Sequence, residues 1–121
     1  MILADTSLWI AHLRVGHPAF QALLARKRVS VHWVVIGELA VGNLKQRAAF
    51  MATIKQIPKA KTGSPEECLA FIENNKLAGR GLGWNDVQLL VAARLSQQML
   101  WSLDLRLASV AAELGVGYRA G

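Results

Sequence analysis

Four carboxylates stand out by where they fall. Among the eight Asp and Glu of the 121 residues, Asp5 and Asp104 each follow a short apolar run (residues 1–4 and 99–103), Asp86 opens an apolar-periodic segment, and Glu38 sits inside the otherwise apolar VVIGELAVGNL. The remaining acids, Glu66, Glu67, Glu73 and Glu113, fall on the polar faces of helical patterns. Carboxylates gathered in one place repel, and at least one pKa rises unless a divalent cation neutralises them. Oxygen ligands without His or Cys among them suit Mg²⁺ or Mn²⁺ rather than zinc. His12, His17 and His32 show no paired metal-ligand spacing and are expected on the surface or in packing. A cation held by such acids would activate water and neutralise a phosphodiester, which is chemistry for cutting nucleic acid.

Each acid also has an ordinary role open to it. Asp5 and Asp104 suit N-caps, Asp86 a favourable first-turn charge, and Glu38 a partner for a buried base. Asn85, with Gln88 three residues on, is expected to cap the helix and free Asp86 from that task. Thr6 and Ser7 are the expected caps of a helix over 8–13. The joint placement of the four acids, more than any one of them, argues for a shared site.

The elements that must position these residues follow from periodicity. Residues 1–4 form a continuous apolar run, as in a strand buried on both faces of a parallel sheet. Pro18 starts a helix over 19–25 that ends in Arg26, Lys27 and Arg28, and 29–33 has strand composition. A helix from near Val34 carries Glu38, whose burial there would be costly without a partner. Gly37 and Gly42 weaken that helix and are expected to permit close backbone approach.

Residues 46–57 read as a further helix, and 60–62 as a very short edge strand. Ser64, Pro65 and Glu67 carry a capping-box signature for a helix over 65–75 that buries Cys68. Gly79, Gly81 and Gly83 then punctuate the loop that holds Arg80, which suits a phosphate contact and a solvated charge equally. In the last unit, Val87, Leu90, Val91 and Leu95 share one helical face, and Leu107, Val110, Ala111 and Leu114 share another, on either side of the strand at 99–103. Strands alternating with helices make a doubly wound α/β domain, whose sites lie beyond the carboxyl ends of the strands. Asp5 and Asp104 would lie on that edge, with Glu38 and Asp86 turned toward it from early helical turns.

Composition sets the outer limits. The length suits a single domain over 1–121, and 53% hydrophobic residues with 18% charged argue against disorder. Net charge is +6, with eight Lys/Arg against two acids in residues 1–60 and six against six in 61–121. The basic half suits an anionic partner such as nucleic acid. One cysteine allows no internal disulfide, and no signal peptide or membrane-length apolar run is present. A cytoplasmic protein without a membrane role is the expectation.

Four blocks, LADTSLWIAHLR, VIGELAVGNL, GRGLGWNDVQLLVAARLS and LWSLDLRLASVAAELGV, span residues 3 to 116. In their order and spacing the chain resembles the PIN-domain endoribonucleases, and among them the VapC-type toxins of bacterial toxin–antitoxin pairs. The resemblance implies a three-layer, doubly wound PIN-like fold around a mainly parallel sheet. It implies Asp5, Glu38 and Asp86 as ligands of Mg²⁺ or Mn²⁺, Asp104 as the fourth acid, and Thr6 or Ser7 as the hydroxyl bonding near Asp5. It also implies RNA as substrate, products with a 3′ hydroxyl and a 5′ phosphate, a homodimer, and an antitoxin whose C-terminal segment blocks the acidic pocket in a hetero-oligomer. The chain departs from the pattern at Ser102, where many relatives have Thr, and at Asn85, where an apolar residue is common.

Two other readings frame this one. A catalytically inactive PIN-like nucleic-acid-binding module would keep RNA affinity without binding a divalent metal. A phospho-acceptor signalling domain fits poorly, because a single Asp follows the first strand and no Lys lies beyond Lys76.

Overall fold

The computed structural model describes residues 1–120 as a parallel sheet flanked by helices in three layers. The strands are β1 (Ile2–Ala4), β2 (Val29–Ser30) and β3 (Met99–Trp101). The helices are α1 (Thr6–Arg14), α2 (Pro18–Ala25), α3 (Trp33–Ala40), α4 (Arg47–Gln56), α5 (Pro65–Asn74), α6 (Trp84–Ser96) and α7 (Leu105–Glu113).

The sheet runs β2-β1-β3 with every pairing parallel, and Ile2 faces Val29 on one side and Met99 on the other. Single parallel bridges, Val31 to Lys59 and Leu100 to Gly117, add one lane at each margin. From β1 the chain therefore builds outward through β2 to Lys59, then returns to lay β3 on the opposite side of β1. That reversal places the crevice of a doubly wound sheet between β1 and β3. The Asp5 amide donates to the Trp101 carbonyl at 3.1 Å at this point.

β1 is apolar throughout because it is the central strand: Leu3 and Ala4 are buried beside Val29, Leu100 and Trp101. Leu8, Phe20, Val35, Leu90 and Leu107 bring the helices onto the same core. Aromatic edges tie layers together, with Trp9 and Phe20 at 5.0 Å and Trp101 and Tyr118 at 5.0 Å between ring centroids, contacts worth about 0.5–1.5 kcal/mol each beyond the area they bury. Gly117 lets the last lane close over α7, since a Cβ there would come within 2.9 Å of the Ala112 nitrogen.

Several expectations hold and several shift. Ser64 and Glu67 form the reciprocal capping box at the start of α5, and Cys68 is buried. Strand composition over 29–33 overstates β2: Trp33 already opens α3, because His32 caps it by accepting the Val34 amide through Nδ1 at 2.9 Å. Likewise β3 stops at Trp101 rather than at 103. An added Cβ on Gly37 would meet nothing within 4 Å, so no neighbour requires a glycine there. At Gly42 the near contact is the helix's own Leu39 carbonyl, at 3.3 Å.

Candidate active site

Strand direction decides where the acids fall. Asp5 follows β1 and Asp104 stands two residues beyond Ser102, which follows β3, so both lie at the carboxyl edge of the sheet. Helix α3 leaves β2 at the same edge, carrying Glu38. Helix α6 ends just before β3 begins, so its first turn, with Asp86, points back toward the carboxyl edge.

Asp5 is the pivot. It is 6% exposed and caps α1 by accepting the Ser7 amide at 2.9 Å, so it takes the role expected of Thr6 and Ser7. Its Oδ1 also accepts the Ser7 hydroxyl, and its Oδ2 accepts the Ser102 hydroxyl at 2.5 Å. Burial raises the Asp5 pKa above its ordinary 3.8, against the opposing hydrogen bonds from Ser102 and Ser7.

One branch leaves this carboxylate, and a separate hydrogen bond starts from the next residue of the chain. Ser102 accepts the Asp104 amide at 2.9 Å, and Ser7 accepts the Leu103 amide at 2.9 Å, which stitches the turn after β3 to the start of α1. On the other side Thr6 donates its hydroxyl to Glu38 at 3.1 Å. Thr6 and Ser7 thus divide the work, Ser7 on Asp5 and Thr6 on Glu38. Glu38 is exposed, so the burial cost anticipated from its apolar neighbours does not arise.

Asp86 stands apart from this network. Gly83, not Asn85, is the N-cap of α6, and Asp86 at the third helical position accepts the Gly83 amide at 2.9 Å. Asn85 instead accepts from Gln88 at 3.4 Å within the helix. Asp104 caps α7, accepting the Arg106 and Leu107 amides through Oδ1 at 2.9 and 3.2 Å. Among the described residues no three His, Cys, Asp or Glu side chains are drawn into a metal-ligating cluster. Asp86 and Asp104 each turn one oxygen onto backbone amides at a helix N-terminus.

The donor set still fits a hard cation in type. None of Asp5, Glu38, Asp86 or Asp104 has a Lys, Arg or His salt-bridge partner among the described residues. Asp86 Oδ1, Asp104 Oδ2 and Glu38 Oε2 accept no protein hydrogen bond there, which leaves one oxygen on each for a ligand. Asp5 is hydrogen-bonded but has no salt-bridge partner among the described residues, and a cation would offset the remaining cost of burying its charge.

Beside Glu38 opens a groove of about 670 Å³ lined by Ile10, Leu13, Leu39 and Leu44, with Arg14 and Lys45 at its rim. Trp33 and Trp84, at the first positions of α3 and α6, are 54% and 46% exposed, whereas Trp9 and Trp101 are core. Lys59 lies 5.2 Å over the Trp33 ring. Neither the groove nor the Arg80–Glu113 pair that holds the glycine loop carries a signal in the sequence, because their members are far apart along the chain.

No protein-family model matches the chain. Two proteins described as Ribonuclease VapC32, from two strains of Mycobacterium tuberculosis, are 38% identical to it over 117 residues, 96% of this chain and 94% of theirs. The chain belongs to the VapC family of PIN-domain toxins. Members of this family are generally nucleic-acid-binding proteins and nucleases. The fold of this VapC-family chain is similar to that in the crystal structure of FitAcB from Neisseria gonorrhoeae, with a TM-score of 0.65 at 20% identity over 93% of this chain and 94% of that one. It is also similar to FitAB bound to an IR36 DNA fragment, with a TM-score of 0.61 at 17% identity over 93% and 91% of the two chains. No helix among the described residues is long and apolar enough to cross a membrane.

Proposed function

We propose that this chain is the toxin of a toxin–antitoxin pair and a Mg²⁺- or Mn²⁺-dependent endoribonuclease acting on single-stranded or loop RNA. The observation that carries the reading is Asp5: a buried carboxylate at the switch point of the sheet, tied through the Ser102 hydroxyl to the Asp104 turn and followed in the chain by Thr6, which holds Glu38, with no salt-bridge partner among the described residues.

Asp5, Glu38 and Asp86 would hold the cation, with Asp104 supporting it. When bound, the cation supplies charge neutralisation at the phosphodiester and lowers the pKa of the attacking water. The chain does the positioning. Ser7 and Ser102 fix both oxygens of Asp5, and Thr6 orients Glu38 toward the same edge. Trp33 and Trp84, exposed at the first positions of α3 and α6, are suited to stacking unpaired bases, Trp33 on the face that Lys59 does not cover. Cleavage would leave a 3′ hydroxyl and a 5′ phosphate.

The antitoxin reading draws on the groove beside Glu38. Its apolar floor suits side chains from an extended or helical segment of a partner, and Glu38 at its wall suits an arginine from that segment. Exposed Ile10 and Leu13 on α1 would be covered by such a contact. A homodimer is part of the same proposal, and Leu69 on α5 supplies further exposed apolar surface.

Incubation of the purified chain with structured RNA, with Mg²⁺ or Mn²⁺ and with a chelator, tests the activity, with cleavage ends mapped. Metal-dependent cutting that Asp5→Asn abolishes supports the proposal. Equal cutting by both proteins removes it. RNA binding with no divalent-metal uptake in calorimetry would favour an inactive binding module, a reading consistent with the use of Asp86 and Asp104 as helix caps.

A further inference from the structure

The glycine loop that delivers Asp86 is held from outside. Arg80 donates through Nη1 and Nη2 to the two carboxylate oxygens of Glu113, both at 2.8 Å, the one salt bridge among the described residues. Such a fork-to-fork pair fixes direction as well as distance. One residue on, Gly81 adopts φ +80°, a conformation that side chains rarely take, and a Cβ there would stand 3.2 Å from Arg106 Cδ and Nη1. Arg106 therefore lies across the loop, while its own amide donates to Asp104 at 2.9 Å. Glu113 is the last residue of α7 and Arg106 its second, so one helix grips the loop from both of its ends. Gly83 has no side chain with which to cap α6, so the loop's own path sets where that helix begins.

We propose that Arg80 is a positioning residue. Its fork to Glu113, with Arg106 laid across Gly81, fixes Asp86 relative to Asp5 and Asp104 and so sets the affinity of the acid set for its divalent cation. The inference rests on the proposed role of Asp86 as a ligand. It also makes Arg80 a weaker candidate for a phosphate contact, because Glu113 neutralises its charge and takes one N–H of each terminal guanidinium nitrogen.

The test compares the full chain with Arg80→Ala, Glu113→Ala and the charge-swapped pair Arg80→Glu with Glu113→Arg. Three readouts are taken: amide hydrogen exchange over residues 79–86 without metal, Mn²⁺ affinity by calorimetry, and RNA cleavage kinetics. Both single variants are expected to lose protection over 79–86, to bind Mn²⁺ roughly tenfold more weakly, and to lose kcat with KM for RNA nearly unchanged. The swapped pair is expected to recover all three. A raised KM and a shallower salt dependence in Arg80→Ala, with Glu113→Ala behaving as the native chain, would make Arg80 a phosphate contact and overturn the proposal. Faster exchange with unchanged Mn²⁺ affinity would overturn it too, leaving only a loop brace. A native chain that takes up no Mn²⁺ defeats the nuclease reading itself, an outcome distinct from variants that match a metal-binding native chain.

Discussion

The two edges of the sheet are charged in opposite senses. At the carboxyl edge Asp5, Glu38, Asp86 and Asp104 stand without a basic partner among the described residues. At the amino edge the Ile2 amide bonds the Arg28 carbonyl just before β2, so exposed Arg26, Lys27 and Arg28 face the opposite way from the acids. Charge that is merely unevenly spread in the sequence is, in the fold, sorted by strand direction. The excess of Lys and Arg in the first half is therefore not one surface. Arg14 and Lys45 border the groove beside Glu38 and Lys59 sits over Trp33, while the triplet lies a strand length away. On the proposed function, only the first group would meet the backbone of an RNA held at the acids.

This contrast can be broken at several points. The largest effect is expected from Asp5→Asn, which should reduce RNA cleavage by at least about 100-fold and yet raise the thermal stability of the metal-free protein at neutral pH. The amide keeps an acceptor for Ser7 and loses the buried charge. The sign follows from linkage. The folded pKa of Asp5 is raised by burial, so its contribution to stability is full below 3.8, where the unfolded chain is also protonated, and is lost as pH rises through the folded value. Thermal melts between pH 3.5 and 7 should therefore show a destabilising slope in the native chain that Asp5→Asn lacks. A variant less stable than the native chain at neutral pH would count against an uncompensated Asp5.

Next in size, Trp84→Ala should raise KM for single-stranded RNA roughly tenfold with little change in kcat, in keeping with loss of one stacked base. Equal loss on a fully paired substrate would argue against stacking. Arg14→Ala combined with Lys45→Ala should weaken RNA binding a few-fold and flatten its salt dependence by up to about two charges. The smallest effect is expected from neutralising Arg26, Lys27 and Arg28 together, which should leave cleavage within about twofold. A larger loss from the triplet than from Arg14 and Lys45 would reverse the assignment of the two edges.

His32 offers an independent probe of the scaffold. Burial lowers its pKa from 6.5, and its Nδ1 accepts the Val34 amide that starts α3. A depressed folded pKa means that its contribution is present above 6.5 and is lost as pH falls through the values below it. His32→Asn, which keeps a capping acceptor, should remove that part of the acid sensitivity in melts between pH 5 and 7.

Much of the fold is legible locally. The β1 run, the Ser64 and Glu67 capping box, the helix start at Pro18, and the face of Val87, Leu90 and Val91, though not Leu95, which is exposed, all depend on neighbours within a turn or a strand. Readings failed where a choice between local partners was settled from a distance. Asn85 is the better cap in isolation, yet α6 is capped two residues earlier, at Gly83, after a loop in which Arg106 lies against Gly81. Glu38 looked buried from its apolar neighbours, but only its helix partners Val35, Ile36 and Leu39 face the core.

The chain alone determined that Asp5, Asp86 and Asp104 would lie next to element ends, because strand polarity and helical period are properties of consecutive residues; Glu38, expected in the early turns of its helix, is instead the sixth of the eight residues of α3. Which hydroxyl meets which acid, Ser7 and Ser102 on Asp5 and Thr6 on Glu38, was decided only by packing β1 against β3 and α1 against α3. Hydrogen bonds between residues 5 and 102 or 6 and 38 have no local precursor, and they require the tertiary packing around Leu3, Leu8 and Leu100 that brings these distant segments together.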